Sequence, residues 1–373
     1  MPHIAWHGAP SAAACLLRCS PLRFDHTQFV RAPASRSVKF CLTIRACTAI
    51  QTGHTLPATS IAFSSDASLA ATCSNDSLIK LWRVLPDGSA ACVCTLTGHN
   101  NPVCDVAFSP CRNLLASSSL NGMIMLWAVA TDASCTSTCR LQHHTEAVFC
   151  LSFSPGGQLL AAGSGDNRIS LWRCAADGSA QFTHDLLGHT SWVLSLAFHP
   201  SGLQLCSGSK DASIRFAPRA SFVRARDFMF PRRLWALDDG GAFGRCTATL
   251  TNHTQPVYSV AYCPSGSVLA SGSKDKSIKL WDLARADGVP VCTSTLLHHA
   301  ATVWAVAFSP NGLQLASCAG DGSIQLWSLR GGGGAIATSA LAGHAGNVSA
   351  IAYNPRGRQL VSSSEDTSMR VWM

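Results

Sequence analysis

Charged side chains are scarce in this chain of 373 residues, where Asp, Glu, Lys and Arg together make up 13%. An average soluble domain carries about 25%. Long apolar runs are also missing: none approaches the ~18 residues that span a membrane as a helix, so we expect no membrane segment. With 47% hydrophobic residues, the chain either buries much of itself or has a surface rich in Ser, Thr, Gly and Ala. Its length suits one large all-β domain or two ordinary domains.

Metal-site spacings are missing among the 18 cysteines. No CxxC pair occurs, which excludes a zinc ribbon. The cysteines stand mostly inside apolar stretches such as LAATC, PVCDVAF and VFCLSF, a context typical of free thiols used as small core residues. We therefore predict no metal site, and a reducing compartment, which is the cytoplasm or the nucleus.

The patterns of common active sites are missing as well. The sequence has no paired carboxylates at one site, no Gly-rich phosphate loop and no context for a Ser or Cys nucleophile. The GGGG run at 331–334 lies between two predicted strands and is typical of a flexible turn. We therefore predict that the protein is not an enzyme and uses no cofactor.

Positive charge is confined to two segments. Residues 1–46 carry a net charge of +5 and residues 216–233 a net charge of +4, so the remainder of a chain of net charge +8 has −1. A nucleic-acid binder normally has a basic stripe on its folded surface. Nucleic acid is therefore an unlikely partner for the main body.

What the sequence does contain is a repeat. Segments such as HHATVWAVAFSPNGLQLASCAGDGSIQLW align seven times, with their leading histidines spaced by 45, 45, 45, 64, 46 and 45 residues. These histidines are His54, His99, His144, His189, His253, His299 and His344. Twenty-two residues after each stand Asp76, Asn121, Asp166, Asp211, Asp275, Asp321 and Asp366. Six residues further stand Trp82, Trp127, Trp172, Ala217, Trp281, Trp327 and Trp372.

Each repeat contains four short alternating β runs, for example VWAVAF, QLASCA and SIQLW in the sixth repeat, with a fourth run such as CTSTL before the next histidine. Four such runs separated by turns indicate one antiparallel sheet per repeat. A single sheet cannot bury both of its faces, so several sheets must stack. A ring stacks them without leaving long open edges.

The Gly/His lead, the Asp in the turn and the Trp that ends the third strand resemble the WD40-repeat β-propellers over residues 54–372. The literal Trp-Asp dipeptide occurs only at Trp281-Asp282, while other repeats place Arg, Ala, Ser or Met after Trp. The resemblance implies an all-β, seven-bladed β-propeller. It also implies a scaffold for protein partners, present as a monomeric ring within a larger complex.

Closure of the predicted ring involves the N-terminal part of the chain. Met373 directly follows the third strand of repeat seven, and CTAIQT at 47–52 is similar to CTATLT at 246–251. We therefore expect residues 46–52 to supply the outer strand of the last blade, so that the propeller domain spans 46–373. Residues 1–45 are poor in acids and rich in Ser, Ala, Arg and Pro. They are predicted to be a disordered basic tail or, alternatively, an organellar transit peptide.

The resemblance implies a structural role for the repeated polar residues. In this family, His, Asp, Ser or Thr and Trp form a hydrogen-bonded network that ties the loop before the first strand to the turn after the second. We expect that network at His54, Asp76 and Trp82; His144, Asp166 and Trp172; His253, Asp275 and Trp281; His299, Asp321 and Trp327; and His344, Asp366 and Trp372. In blade two, Asn121 is expected to form a weaker, uncharged bond with His99.

The family also binds peptides at the narrow end of the central channel, the channel mouth. The residues four positions before the Phe or Tyr of each first strand lie there by analogy: Thr59, Cys104, Phe149, Leu194, Tyr258, Trp304 and Ser349. We predict a partner-binding patch made of Phe149, Trp192, Leu194, Lys210, Tyr258, Lys274 and Trp304. Alternatively, the aromatic side chains only plug the channel.

The one long spacing contains SIRFAPRASFVRARDFMFPRRLWAL at 213–237. Removing 216–233 restores a 46-residue spacing and a tryptophan, Trp235. In one threading, Leu234-Trp235 completes the third strand of blade four. In the other, which we favour, that strand runs through 213–217, Phe216 takes the slot of Leu280, and Pro218 ends the strand. The basic insertion is more readily explained as a retained intron or gene-model error than as a loop that binds RNA or acidic protein.

Two functions remain after these exclusions. We favour a non-catalytic scaffold that binds a peptide or a partner domain on the top face of the propeller. The alternative is an RNA- or ribosome-associated protein that uses the basic tail and the basic loop. A substrate receptor of a ubiquitin ligase is disfavoured, because Trp281-Asp282-Leu283-Ala284 lacks the basic residue of that signature.

Overall fold

A computed structural model describes residues 44, 46–218, 246, 248–285, 289–330, 334–357 and 359–373. The described residues form 28 strands, arranged as seven four-stranded antiparallel sheets. Within this part of the chain, no helix is long and apolar enough to cross a membrane. The protein is therefore an all-β propeller with seven blades, as the repeats predict.

Blades one to six each use four consecutive strands. Blade one contains β2 (Ala58–Phe63), β3 (Leu69–Ser74), β4 (Ile79–Val84) and β5 (Ala90–Leu96). Blades two and three contain β6 (Val103–Phe108), β7 (Leu114–Ser119), β8 (Met123–Val129), β9 (Cys135–Gln142), β10 (Val148–Phe153), β11 (Leu159–Ser164), β12 (Ile169–Cys174) and β13 (Ala180–Leu186).

The remaining blades follow the same order. Blade four contains β14 (Val193–Phe198), β15 (Gln204–Ser209), β16 (Ile214–Pro218) and β17 (Ala248–Leu250). Blades five and six contain β18 (Val257–Tyr262), β19 (Val268–Ser273), β20 (Ser277–Asp282), β21 (Val291–Leu297), β22 (Val303–Phe308), β23 (Gln314–Ala319), β24 (Ile324–Arg330) and β25 (Gly334–Leu341). Blade seven contains β26 (Val348–Tyr353), β27 (Leu360–Ser364), β28 (Ser368–Trp372) and β1 (Cys47–Thr52).

Burial decreases from the first strand of a blade to the last. All six residues of β6 are buried, whereas in β5 only Leu96 is buried. The core therefore lies between the inner strands of neighbouring sheets, which explains why the first two runs of each repeat are almost entirely apolar or small. The outer strands consist mostly of partly buried and exposed residues, as expected at the solvated edge of each sheet.

The inner strands contact one another in sequence from β2 to β26, and β26 contacts β2, so the ring is closed at its centre. Three of the seams between blades depend on a glycine in the second strand. A Cβ atom on Gly163, Gly208 or Gly272 would lie 2.7–2.9 Å from a side-chain carbon of the valine that begins the next blade. A larger residue there would push the two blades apart.

The outer edge of blade seven is covered by β1, which pairs antiparallel with β28. Ile50 faces Arg370 and Thr52 faces Ser368 in this register, and the backbones of Ala46 and Met373 exchange two hydrogen bonds of 3.1 and 2.9 Å. Ile44 precedes this strand and is only 2% exposed. Residues from both ends of the described chain thus share one sheet.

In blade four, β16 pairs with β15 so that Cys206 faces Phe216, just as Ala270 faces Leu280 in blade five. Phe216 is 1% exposed. This pairing is that of the second threading, in which the strand continues to Pro218. Residues 219–245, with most of the basic insertion and Trp235, lie outside the described residues, and so do residues 1–43 of the predicted tail.

Candidate binding site at the channel mouth

A hydrogen-bonded network supports the loops of most blades at the mouth end of the ring. In blade one, His54 Nδ1 lies 2.9 Å from Asp76 Oδ2, and His54 Nε2 lies 2.9 Å from Thr72 Oγ1. Trp82 Nε1 donates to the same hydroxyl at 2.7 Å. Since the Thr72 oxygen accepts from Trp82, its own proton can go to His54 Nε2, which leaves the Nδ1 proton for Asp76.

The same arrangement recurs in other blades, with His–Asp distances of 2.8 Å at His144–Asp166, His189–Asp211, His253–Asp275 and His344–Asp366. Trp172, Trp281, Trp327 and Trp372 each donate to a serine hydroxyl. Blade six departs from the expected pairing. Asp321 Oδ2 stands 3.8 Å from His299 Nδ1, and the Ser323 hydroxyl contacts that nitrogen at 3.1 Å instead.

We call this network of His, Asp, a hydroxyl and Trp in one blade its clamp. The pKa shifts of the His and Asp indicate that the clamp has a structural role. Burial alone would raise the pKa of Asp366, but hydrogen bonds from Ser368 and His344 lower it to about 2. Burial lowers the pKa of His344 below its usual value, against the opposing effect of Asp366. At neutral pH the imidazole is therefore neutral and the carboxylate charged, so the pair supports a hydrogen bond and is not poised for proton transfer.

Blade two lacks this clamp, and the prediction of a hydrogen bond between Asn121 and His99 is wrong. His99 Nε2 contacts Ser117 Oγ at 2.7 Å, but His99 Nδ1 is buried and has no hydrogen-bond partner among the described residues. The Asn121 amide nitrogen donates to Asn100 Oδ1 at 2.9 Å. A protonated Nδ1 and an amide NH₂ are both donors and cannot satisfy each other. Burial and the nearby Arg140 charge lower the pKa of His99 to about 4.

An Asn121→Asp substitution should stabilise the protein by ~1 kcal/mol, because it supplies the acceptor that His99 Nδ1 lacks. A rise in Tm of about 2 °C is expected for a domain of this size at pH 7. A carboxylate whose pKa is lowered on folding stabilises fully above its unfolded pKa of ~4, so the gain should be lost as the pH falls below ~4. Differential scanning calorimetry at pH 7 and at about pH 3 measures both effects.

The matched control is Asp166→Asn in blade three, which removes the acceptor from an intact clamp and should lower Tm by a similar amount. If Asn121→Asp leaves Tm unchanged while Asp166→Asn lowers it, the missing acceptor is not what limits blade two.

One buried hydrophobic cluster, which extends into blades one and seven, contains five of the residues predicted at the channel mouth: Cys104, Phe149, Leu194, Tyr258 and Trp304. Phe149, Leu194, Tyr258 and Trp304 are 2%, 1%, 5% and 8% exposed. Tyr258 and Trp304 make a T-shaped contact across the seam of blades five and six, with ring centroids 4.5 Å apart. These four side chains are thus almost entirely buried, and Trp304 is the most exposed of them.

Trp192, by contrast, is half-buried and lies above this cluster. Its ring stacks on Phe149 at a centroid distance of 5.1 Å, and Lys210 Nζ stands 3.9 Å from the centre of its ring. Lys210 and Lys274 are exposed on equivalent turns of blades four and five. The structure therefore brings the predicted patch together, while its role in binding stays a prediction.

Two polar residues have structural roles that the sequence pattern did not predict. Ser170 replaces the hydroxyl that blade three lacks at Ala162 and contacts both His144 and Trp172. Asp105 is fully buried, and it accepts hydrogen bonds from Ser60 Oγ at 2.6 Å and from the backbone N–H of Leu151 at 2.7 Å. Asp105 thereby links blades one, two and three.

Within the described residues, no group of three or more His, Cys, Asp or Glu side chains is placed to hold a metal ion. A family model for the WD domain, G-beta repeat, matches seven segments of the chain: residues 45–83, 90–128, 134–173, 180–216, 244–282, 290–328 and 336–373. Together they cover more than half of the chain, and the widest gap, 217–243, contains nearly all of the basic insertion. A search of curated proteins found no match.

Proposed function

Because this chain belongs to the WD40-repeat family, whose propellers are typical protein-interaction scaffolds and generally non-catalytic, we propose that it binds a peptide or a partner domain at the channel mouth. The ring then acts as one rigid, monomeric member of a larger complex. From the cysteine usage in the sequence we place it in the cytoplasm or the nucleus.

The observation that supports this proposal best is the series of contacts between Phe149, Trp192 and Lys210. The buried ring of Phe149 packs against the half-buried ring of Trp192, and Lys210 Nζ lies 3.9 Å from the centre of the Trp192 ring. Aromatic side chains are enriched at the centres of interfaces, and exposed lysines beside them suit the polar rim. The alternative of an RNA- or ribosome-associated protein depends on residues 1–46 and 216–233, most of which lie outside the described residues.

A Tyr258→Ala, Trp304→Ala double variant should lose its partners, since truncation of a central aromatic anchor typically costs ~2 kcal/mol or more of binding free energy. That corresponds to at least about a thirtyfold loss of affinity. The measurement is affinity purification of the tagged full chain and of the variant, quantified by mass spectrometry, with circular dichroism to show that the variant is folded.

The control is a Leu203→Ala, Leu313→Ala double variant. These leucines are 46% and 57% exposed and lie in turns that follow the first strands of blades four and six, at the opposite end of the ring. Partners lost equally from both variants would place the interaction elsewhere, and a folded Tyr258→Ala, Trp304→Ala variant that keeps every partner would refute the proposal.

A further inference from the structure

The indole N–H of Trp304 differs in its hydrogen bonding from those of the tryptophans in the third strands of the blades. Its Nε1 atom is buried and has no hydrogen-bond partner in the described part of the chain. Six other tryptophans donate to a Ser or Thr hydroxyl: Trp82, Trp127, Trp172, Trp281, Trp327 and Trp372. A buried donor without an acceptor is unfavourable, and an acceptor that arrives with a partner would remove that cost.

Gly320 lies close to this donor and covers it with no side chain. A Cβ atom on Gly320 would stand 3.2 Å from Trp304 Nε1 and 3.5 Å from Asn347 Oδ1. Blades four and five carry Lys210 and Lys274 at the position of Gly320. The surface of blade six is therefore indented beside Trp304, whose indole N–H is unsatisfied within the described residues.

The indole is held in place from the other side. Tyr258 makes its T-shaped contact with Trp304 at 4.5 Å, so the ring is fixed against blade five while its nitrogen lies toward Gly320. The ring plane is thus already oriented for an acceptor, which favours binding once the groups that cover Nε1 move aside.

The charges around this indentation are asymmetric. Lys210 and Lys274 are exposed, and the aspartates next to them in sequence, Asp211 and Asp275, pair with histidines of their own blades. In blade seven, Glu365 takes the position of these lysines. At this turn position, the two lysines thus lie on the blade-five side of Trp304 and the glutamate on its blade-seven side.

Resting on the function proposed above, we propose that the channel mouth recognises an acidic peptide segment lying over blades four to six. One Asp or Glu carboxylate of the peptide accepts a hydrogen bond from Trp304 Nε1 in the indentation at Gly320. A second acidic residue, toward blade four, pairs with Lys274 or Lys210. An indole N–H and an ammonium group are donors only, so an acceptor-only carboxylate matches both, whereas a basic peptide matches neither.

The test uses a displayed library of random dodecapeptides selected on the full chain, so no partner needs to be known. Selected peptides should be rich in Asp and Glu. Replacing the acid that contacts Trp304 by Ala, which removes the acceptor, should weaken binding to the parent chain about tenfold or more. The same replacement should change binding to a Trp304→Phe chain less than about threefold, because that chain keeps the ring but lacks the donor.

Two further variants separate the hydrogen bond from general electrostatics. Gly320→Ala fills the indentation without a change of charge and should weaken binding of the same peptides. Lys276→Met removes an exposed lysine of the same turn as Lys274 and should leave binding nearly unchanged.

Selected peptides without acids, or peptides in which every acid is as important on the Trp304→Phe chain as on the parent chain, would overturn the carboxylate proposal. If such peptides still lose binding on the Tyr258→Ala, Trp304→Ala chain, the mouth remains the binding site and only the partner chemistry is wrong. Peptides that bind this double variant as well as the parent, or the enrichment of no peptide at all, would count against both proposals.

Discussion

A chain that begins at Gly53 should unfold about 10 °C below a chain that begins at Ile44. The difference removes β1, which pairs with β28 at five positions and leaves the outer edge of blade seven bare when absent. Trp372 on β28 is only 2% exposed and would lose its cover. Several ladder hydrogen bonds at ~1 kcal/mol each, with about 2 °C of Tm per kcal/mol for a domain of this size, give the expected drop.

An open edge also invites pairing with another copy of the chain, so the shortened protein should form concentration-dependent dimers in size-exclusion chromatography. The control is Ile50→Ser in the longer chain. Ile50 is 52% exposed, so this change alters a side chain of β1 but not its pairing, and Tm should move by less than about 1 °C. Equal melting temperatures for the two chain lengths would show that β1 adds nothing to the ring.

The strand order could be predicted because the sequence contains the same pattern of four alternating β runs seven times. One period of four alternating runs has a single way to bury its apolar residues, and the constant spacing then implies the same sheet each time. In blade four, the alternation of apolar and polar residues alone places Phe216 at the position that Leu280 has in blade five. It does so although the tryptophan that normally follows this position is missing.

The sequence gives less information on contacts that depend on neighbouring blades. Asp105 occupies a position where the other repeats have Ser, Cys or Ala, so the repeat pattern conceals it. Its partners Ser60 and Leu151 belong to other blades, about one period away on each side. Likewise, the position of Phe149 predicts that it faces the channel, but its stacking on Trp192 requires the closed ring.

The clamp of blade three shows a similar limit. Ala162 removes the hydroxyl that the pattern requires, and Ser170 on the next strand supplies it. The two residues are paired across the sheet, so only the register of β11 and β12 shows that one can replace the other.

Replacing Asp105 by Ala should destabilise the protein by about 3–5 kcal/mol, the usual effect of removing one partner from a buried charged network. Asp105 is fully buried on β6, and its carboxylate accepts from Ser60 Oγ and from the backbone N–H groups of Val106 and Leu151. Alanine leaves these donors buried without an acceptor. A fall in Tm of about 6–10 °C by differential scanning calorimetry is the expected result.

Blades four and five provide the matched control, because they use serine where blade two uses Asp105. Ser195 Oγ accepts from the N–H of Val260 at 3.0 Å, and Ser259 Oγ accepts from the N–H of Val306 at 3.1 Å. Asp105→Ser should therefore keep the acceptor for Leu151 and lose less than half as much stability as Asp105→Ala. If both variants are equally unstable, the charge or size of Asp105 matters more than its bond to the next blade. If Asp105→Ala melts at the parent temperature, the bridge between the three blades contributes no stability.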